Sequence, residues 1–135
     1  MTPTEQQSIE RLLSDFAFCA DHGDAAGLGR LFIEDGVLSV GGRESIGRAQ
    51  IVSDCQARFD ISDRKTRHVW SNLRITALTG DKASATALQL TFEVPGNDMP
   101  VRLRVNDVLD ELHKDASGVW QFARRRIICE MAVTF

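Results

Sequence analysis

From about residue 66 onward the chain alternates in polarity with a period of two. Residues 67–79, 82–95, 100–113 and 119–133 read as four long strands. The breaks between them, Thr79-Gly80-Asp81, Pro95-Gly96-Asn97-Asp98 and Asp115-Ala116-Ser117-Gly118, are short and made of turn formers. Short turns join antiparallel neighbours, so the second half of the chain is a run of hairpins. Such a sheet must have one face covered. The cover has to come from the residues before 66.

Those residues supply helices. Residues 5–22 place Ile9, Leu12, Leu13, Phe16 and Ala20 on one helical face, with Gly23 as a left-handed stop and Asp24 as the cap of the next helix. A second, short helix over about 25–33 turns Leu28, Leu31 and Phe32 inward and is broken by Gly36. Val37 to Val40 form a strand, Gly41-Gly42 a turn, and Arg43-Glu44 begin the return. A third helix, about 47–59, carries Ile51, Val52, Cys55 and Phe59 on one face, and the polar stretch DISDRKT follows it. Helices first and strands later make an α+β fold. A long antiparallel sheet that curves around about three N-terminal helices makes a cone with an internal cavity.

The 135 residues carry no internal repeat or Pro/Gly linker and read as a single domain, 1–135. That length buries enough surface for one core without staples. With 43% hydrophobic and 26% charged residues the chain is not disordered. A net charge of −3 argues against general nucleic-acid binding, and no apolar run is long enough for a membrane span. The N-terminal MTPTEQQSIERLL lacks the basic-then-apolar pattern of a signal peptide, so a cytoplasmic location is expected. Cys19, Cys55 and Cys129 form no CxxC pair and read as small hydrophobes; no metal-ligand cluster is visible. Arginine outnumbers lysine 13 to 3, which favours fixed, bidentate contacts with anions. Tyrosine is absent, which excludes any mechanism built on a phenol.

Polar residues at positions where apolar ones belong are the candidates for function. Asp21 sits at the end of the first helix, on the flank of its apolar face, where negative charge opposes the helix dipole. His68 opens the first long strand and shares its face with Trp70, while Leu73 and Ile75 have the opposite parity. Either both faces are covered there or a bulge changes the phase. Asp107 alternates in step with Val101, Leu103, Val105 and Leu109, which puts a carboxylate on an apolar face. It is expected to line the cavity or to pair with an arginine. Arg125, in FARRRII, is split by alternation from Arg124 and Arg126; turned inward it needs an anion, which Asp107 or Asp21 can supply.

Taken in order, ADHGD, LFIEDGVL, IGRAQI, TRHVWSNLRI and SGVWQFARRRI resemble the SnoaL-like branch of the nuclear-transport-factor-2-like superfamily, over about residues 8–130. The resemblance implies a cystatin-like α+β barrel with a deep, mostly apolar cavity. In scytalone dehydratase and hexachlorocyclohexane dehydrochlorinase, an Asp after helix 1 pairs with a His at the start of a long strand; Asp21 and His68 match those positions. Arg125 in WQFARR matches the dehydrochlorinase arginine, and Asp107 falls near an inward acid of bile-acid-dehydratase-like members. Phe16 stands where the dehydrochlorinase has a lysine, and the cavity tyrosines of several members are missing.

The resemblance implies a cofactor-independent lyase or isomerase that abstracts a proton from a small, mostly apolar cyclic substrate. Asp21, His68 and Arg125 are the expected catalytic set, and Asp107, Trp70, Phe16 and Leu103 the expected substrate wall. The late strands also resemble the small β subunit of ring-hydroxylating dioxygenases, a structural protein. That likeness implies instead an assembly role beside a dioxygenase α subunit; a third reading is a small-molecule binding module that uses the same cavity without chemistry. The face carrying Ser84, Thr86, Leu88, Leu90, Phe92 and Val94 is then the interface, at least for a homodimer or trimer formed through the sheet.

Overall fold

The computed structural model describes residues 2–135. Helix α1, Glu5–Asp21, opens with a capping box: the Gln7 backbone N–H donates to Thr4 Oγ1 at 3.1 Å, and the Thr4 N–H donates to the Gln7 side chain at 2.9 Å. Gly23, at φ 68°, turns the chain, and Asp24 caps α2, Ala25–Arg30, by accepting from the Gly27 N–H at 2.8 Å. This helix is shorter than its sequence pattern implies. Phe32 is not its last buried residue but the first residue of strand β1, Phe32–Val40. The reason is tertiary: the Phe122 N–H donates to the Leu31 carbonyl at 2.8 Å and draws the chain into pairing with the last strand. Gly36 lies inside β1, at its irregularity, against the Phe122 carbonyl.

The rest of the order is β2 (Arg43–Ile46), α3 (Arg48–Phe59), β3 (Lys65–Thr79), β4 (Lys82–Val94), β5 (Arg102–Lys114) and β6 (Trp120–Thr134). All six strands form one sheet in the order β2-β1-β6-β5-β4-β3. Every pair is antiparallel except β1 with β6, which is parallel. The concave face is covered by the helices. Ile9, Leu12, Leu13 and Phe16 of α1, Leu28 of α2 and Ile51 and Cys55 of α3 meet Ala83, Ala85, Ala87, Val108, Leu112, Phe122 and Ile127 of the sheet. The three alanines of β4 leave room for the helices to come close.

Bulges bend the sheet and reset which side chains point inward. In β3 the register shifts between Ser71 and Arg74, where Asn72 takes φ 57°. Thr66, His68 and Trp70 face the helices before the shift, and Leu73 and Ile75 after it. This is the change of phase that the opposed parities of His68 and Leu73 required. In β6 the register shifts at Ala123, so Phe122 and Arg125 share the inner face.

In β5 the sequence reading of the two faces is inverted. The buried set is Asn106, Val108, Asp110 and Leu112, with Asp107 exposed on the convex side. Cross-strand register explains it. Leu88 pairs with Asp107, Leu90 with Val105 and Phe92 with Leu103, so the convex face of β4 and the odd residues of β5 are one surface. The inner face of β5 carries Arg104, Asn106 and Asp110 beside Val108 and Leu112, so the more apolar face of this strand is the outer one, and alternation alone points the wrong way.

Candidate active site

Asp21 ends α1 and His68 begins the inner run of β3; the packing of α1 on β3 brings them together. The His68 Nδ1–H donates to Asp21 Oδ1 at 2.5 Å, the His68 backbone N–H donates to Oδ2 at 2.9 Å, and the Thr66 hydroxyl donates to Oδ1 at 3.1 Å. The side chains are only 8% and 14% exposed for Asp21 and His68, so the pair is largely shielded from water. Burial pushes the Asp21 carboxyl up. Hydrogen bonds from the His68 ring and backbone and from Thr66 outweigh burial, and hold it below the usual carboxylate range. An ionised carboxylate can only accept. In a neutral imidazole the proton must therefore sit on Nδ1, which leaves Nε2 as a lone-pair acceptor.

His68 is part of the wall of a cavity of about 160 Å³. One side of this cavity is apolar: Phe16 and Ala20 of α1, Leu28, Leu38, Phe59 and Ile127. The other is the polar stretch of the sheet, with Thr66, Gln89, Thr91, Arg104 and Asn106. Gln89, Thr91 and Asn106 are nearly sealed from solvent, and the Asn106 amide donates to Gln89 Oε1 at 3.4 Å and to Thr91 Oγ1 at 3.3 Å. Sealed polar groups on a cavity wall are costly unless they meet partners, and these are held in one network beside His68. Arg64 and Arg104 also reach the wall. Glu93 ties them together, accepting from Arg64 Nε and from Arg104 Nη1 at 2.7 Å each. Burial raises the Glu93 carboxyl, but the two guanidiniums prevail and keep it below its ordinary range. Burial also pushes the Cys55 thiol up, which keeps this cavity residue a thiol rather than a nucleophilic thiolate. Among the described residues no cluster of three or more His, Cys, Asp or Glu side chains is arranged to hold a metal, and no helix is long and apolar enough to cross a membrane.

The SnoaL-like domain family matches residues 3–126, nearly the whole chain. The protein belongs to the SnoaL-like family. Solved structures with the same fold include a scytalone dehydratase-like protein from Novosphingobium aromaticivorans, 23% identical, with a TM-score of 0.88 over 97% of this chain and 87% of the other. A type 2 hexachlorocyclohexane dehydrochlorinase is 18% identical, with a TM-score of 0.87 over 96% of this chain and 88% of the other. An aromatic-ring-hydroxylase-like protein from N. aromaticivorans is 23% identical, with a TM-score of 0.87 over 100% and 96%. At these identities the likeness establishes the fold. No curated protein matches the sequence.

Within this SnoaL-like chain the expected site residues divide. His68 and Phe16 line the cavity, and Asp21 stands behind His68, bonded to its ring. Trp70 does not reach the cavity wall; it packs beside α1, where its indole N–H donates to Ser14 Oγ at 3.0 Å. Leu103 and Asp107 lie on the convex face, so neither can touch a ligand inside. Arg125 is turned inward, as an inward arginine needing an anion should be, but it stops short of the cavity. It is 1% exposed, with its guanidinium carbon 4.3 Å from the Phe16 ring centre and 4.6 Å from that of Phe122. Its anion is neither Asp107 nor Asp21 but Asp110, at 3.4 Å from Nε. Arg125 therefore reaches the cavity only through Phe16, whose ring it backs. The residues missed from the sequence are Gln89, Thr91, Asn106, Arg58, Arg64 and Arg104. The signal for three of them was present: Gln89 and Thr91 continue the parity of Ala83, Ala85 and Ala87, and the hairpin places Asn106 opposite Gln89.

Burial pushes the Asp110 carboxyl up to about 6, with Arg125 only partly opposing it. A carboxylate raised in the folded state binds protons there that the unfolded chain has already released. Its favourable contribution is thus complete below about 4 and is lost as pH rises through about 6. Denaturant unfolding of wild type and Asp110→Asn across that range should show wild type losing stability relative to the variant. A flat difference would mean that Asp110 is ionised throughout.

Proposed function

We propose that this protein is a cofactor-independent lyase or isomerase that begins catalysis by taking a proton from carbon. The observation that carries the reading is His68, backed by Asp21, on the wall of a cavity whose opposite side is apolar. His68 Nε2 accepts the substrate proton. Asp21, held as a carboxylate, fixes the tautomer beforehand and stabilises the imidazolium that forms. Negative charge then develops on a substrate oxygen or on a leaving group. Arg125 cannot meet it directly; the Gln89 amide N–H and the Thr91 hydroxyl, both held in the wall by the Asn106 amide, take that part. The proton on His68 is returned to another carbon in an isomerisation, or leaves with the departing group in an elimination. A cavity of about 160 Å³ suits a small, mostly apolar ring, since an apolar cavity of comparable size, ~150 Å³, accepts benzene. The relatives that resemble a scytalone dehydratase and a dehydrochlorinase support this class of reaction.

The test is His68→Ala, assayed on cyclic substrates that exchange or eliminate an acidic C–H. Turnover should fall by about a hundredfold or more while the fold, judged by circular dichroism, is kept. Full turnover in that variant would remove His68 from the mechanism.

A specific surface favours an additional role in assembly. Leu90 and Phe92 of β4 lie beside Val105 and Leu103 of β5, and Met131 and Val133 of β6 continue the patch, at 64% and 49% exposed. This convex face is apolar enough to seek cover. We read it as the contact of a homodimer or trimer formed through the sheet; a dioxygenase α subunit is the alternative occupant. Light scattering should find an oligomer that Phe92→Glu with Met131→Glu converts to monomer without loss of folding. A monomeric wild type would rule out the self-association.

A further inference from the structure

Three arginines line the cavity, Arg58, Arg64 and Arg104, and among the described residues no carboxylate lines it. This is unexpected in a chain with a net charge of −3. Two of the three are accounted for, since both oxygens of Glu93 are taken up by Arg64 and Arg104. Asp21 is engaged by His68 and Thr66. Arg58 is different. Among the described residues no carboxylate forms a salt bridge with it. Its one side-chain hydrogen bond runs from Nη2 to the Cys55 sulfur at 3.3 Å, and sulfur is a weak acceptor. The two acids nearest it in the chain are engaged elsewhere: Asp54 accepts from the Ser45 hydroxyl at 2.6 Å, and Asp60 from the Gln56 amide at 2.8 Å. A half-buried guanidinium on an otherwise apolar stretch of wall, between Cys55 and Phe59, thus keeps most of its donors free.

We infer that Arg58 receives a carboxylate on the substrate, so that the ligand is a small ring bearing a carboxylate rather than a neutral ring. This rests on the proposed proton-abstraction reading only for the word substrate; the binding itself does not need it. The planar fork of an arginine matches a carboxylate in two parallel hydrogen bonds. A single free fork also argues against a phosphate, whose larger charge calls for several cationic donors. The ring then lies against Phe16, Leu28, Leu38 and Phe59. The charge on the ligand restores the balance that the cavity lacks. Anchoring one end of the ring in this way fixes which carbon is offered to His68, which is how remote binding energy becomes orientation.

The experiment is calorimetric titration of wild type, Arg58→Gln, Arg58→Lys and His68→Ala with benzoate and with its neutral isostere benzamide, each at low and high salt. Wild type should prefer the benzoate by about tenfold or more, and the preference should shrink with salt. Arg58→Gln should lose the preference while still binding the amide, which also shows that the cavity is intact. Arg58→Lys should keep part of it. His68→Ala should keep all of it, which separates this inference from the catalytic one. Equal affinities in wild type, a preference that survives Arg58→Gln, or no binding of either compound would overturn it. A benzoate preference in a His68→Ala protein with unimpaired turnover would leave the anion site standing and the proposed base refuted.

Discussion

A single sheet with strands as long as 15 residues cannot be covered by three short helices while it stays flat. It has to bend, and register shifts interrupt the ladder at Asn72 and Thr76 in β3, at Ala123 and Glu130 in β6 and within β1; those at Asn72 and Ala123 shape the site. The same bulges decide which side chains face the helices. The one at Asn72 lets His68 and Leu73 share the concave face despite opposite parity. The one at Ala123 carries Arg125 inward beside Phe122. Curvature and site are therefore one construction. Where the sheet bends away from the helices, the layers do not fully meet, and the gap left between them is the cavity.

The cavity is built with its polarity divided. Helices and the near strands contribute mostly hydrocarbon, with the Arg58 guanidinium of α3 as the exception, whereas the middle of the sheet contributes amides, hydroxyls and the Arg104 guanidinium. The acids around it are handled in two ways. Asp21 is surrounded by donors and kept ionised, at the one place where the negative end of α1 would otherwise oppose it. Asp110 is buried with a single skewed partner, Arg125, and is pushed toward protonation. The first arrangement prepares a base. The second supports the floor: the Arg125 guanidinium lies against the Phe16 ring, and Phe16 forms part of the cavity wall. A buried ion pair of this kind adds little net stability, because desolvation offsets its Coulomb attraction. Its effect is on the placement of the aromatic ring.

Much of this was legible in the residues. Helical periodicity located α1, turn formers separated the four long strands, and the family resemblance named the cone that the structure shows. Asp21 and His68 were visible because each is a polar residue placed where the local pattern calls for something else. Three errors have one cause. Asp107, Leu103 and the phase of β5 rest on alternation along a single strand, and that pattern misleads when the inner face is the more polar one, as Arg104, Asn106 and Asp110 make it here. The hairpin register contained the answer, since Leu90 opposite Val105 forces both to the same side. Helix α2 was read too long because Phe32 fits a helical face equally well; only its pairing with Phe122 makes it a strand residue. Arg58 gave no sequence signal at all, because an arginine near the end of a helix is ordinary until its missing partner is seen.

The central claim is that Asp21 holds His68 with its proton on Nδ1 and its lone pair on Nε2 toward the cavity. Nitrogen-15 NMR of the imidazole rings reads this directly, because protonated and lone-pair nitrogens differ widely in chemical shift. At a pH where the ring is neutral, His68 should show a protonated Nδ1 and an unprotonated Nε2, and Asp21→Asn should release that preference. A neutral His68 with its proton on Nε2 in the wild-type protein would contradict the account.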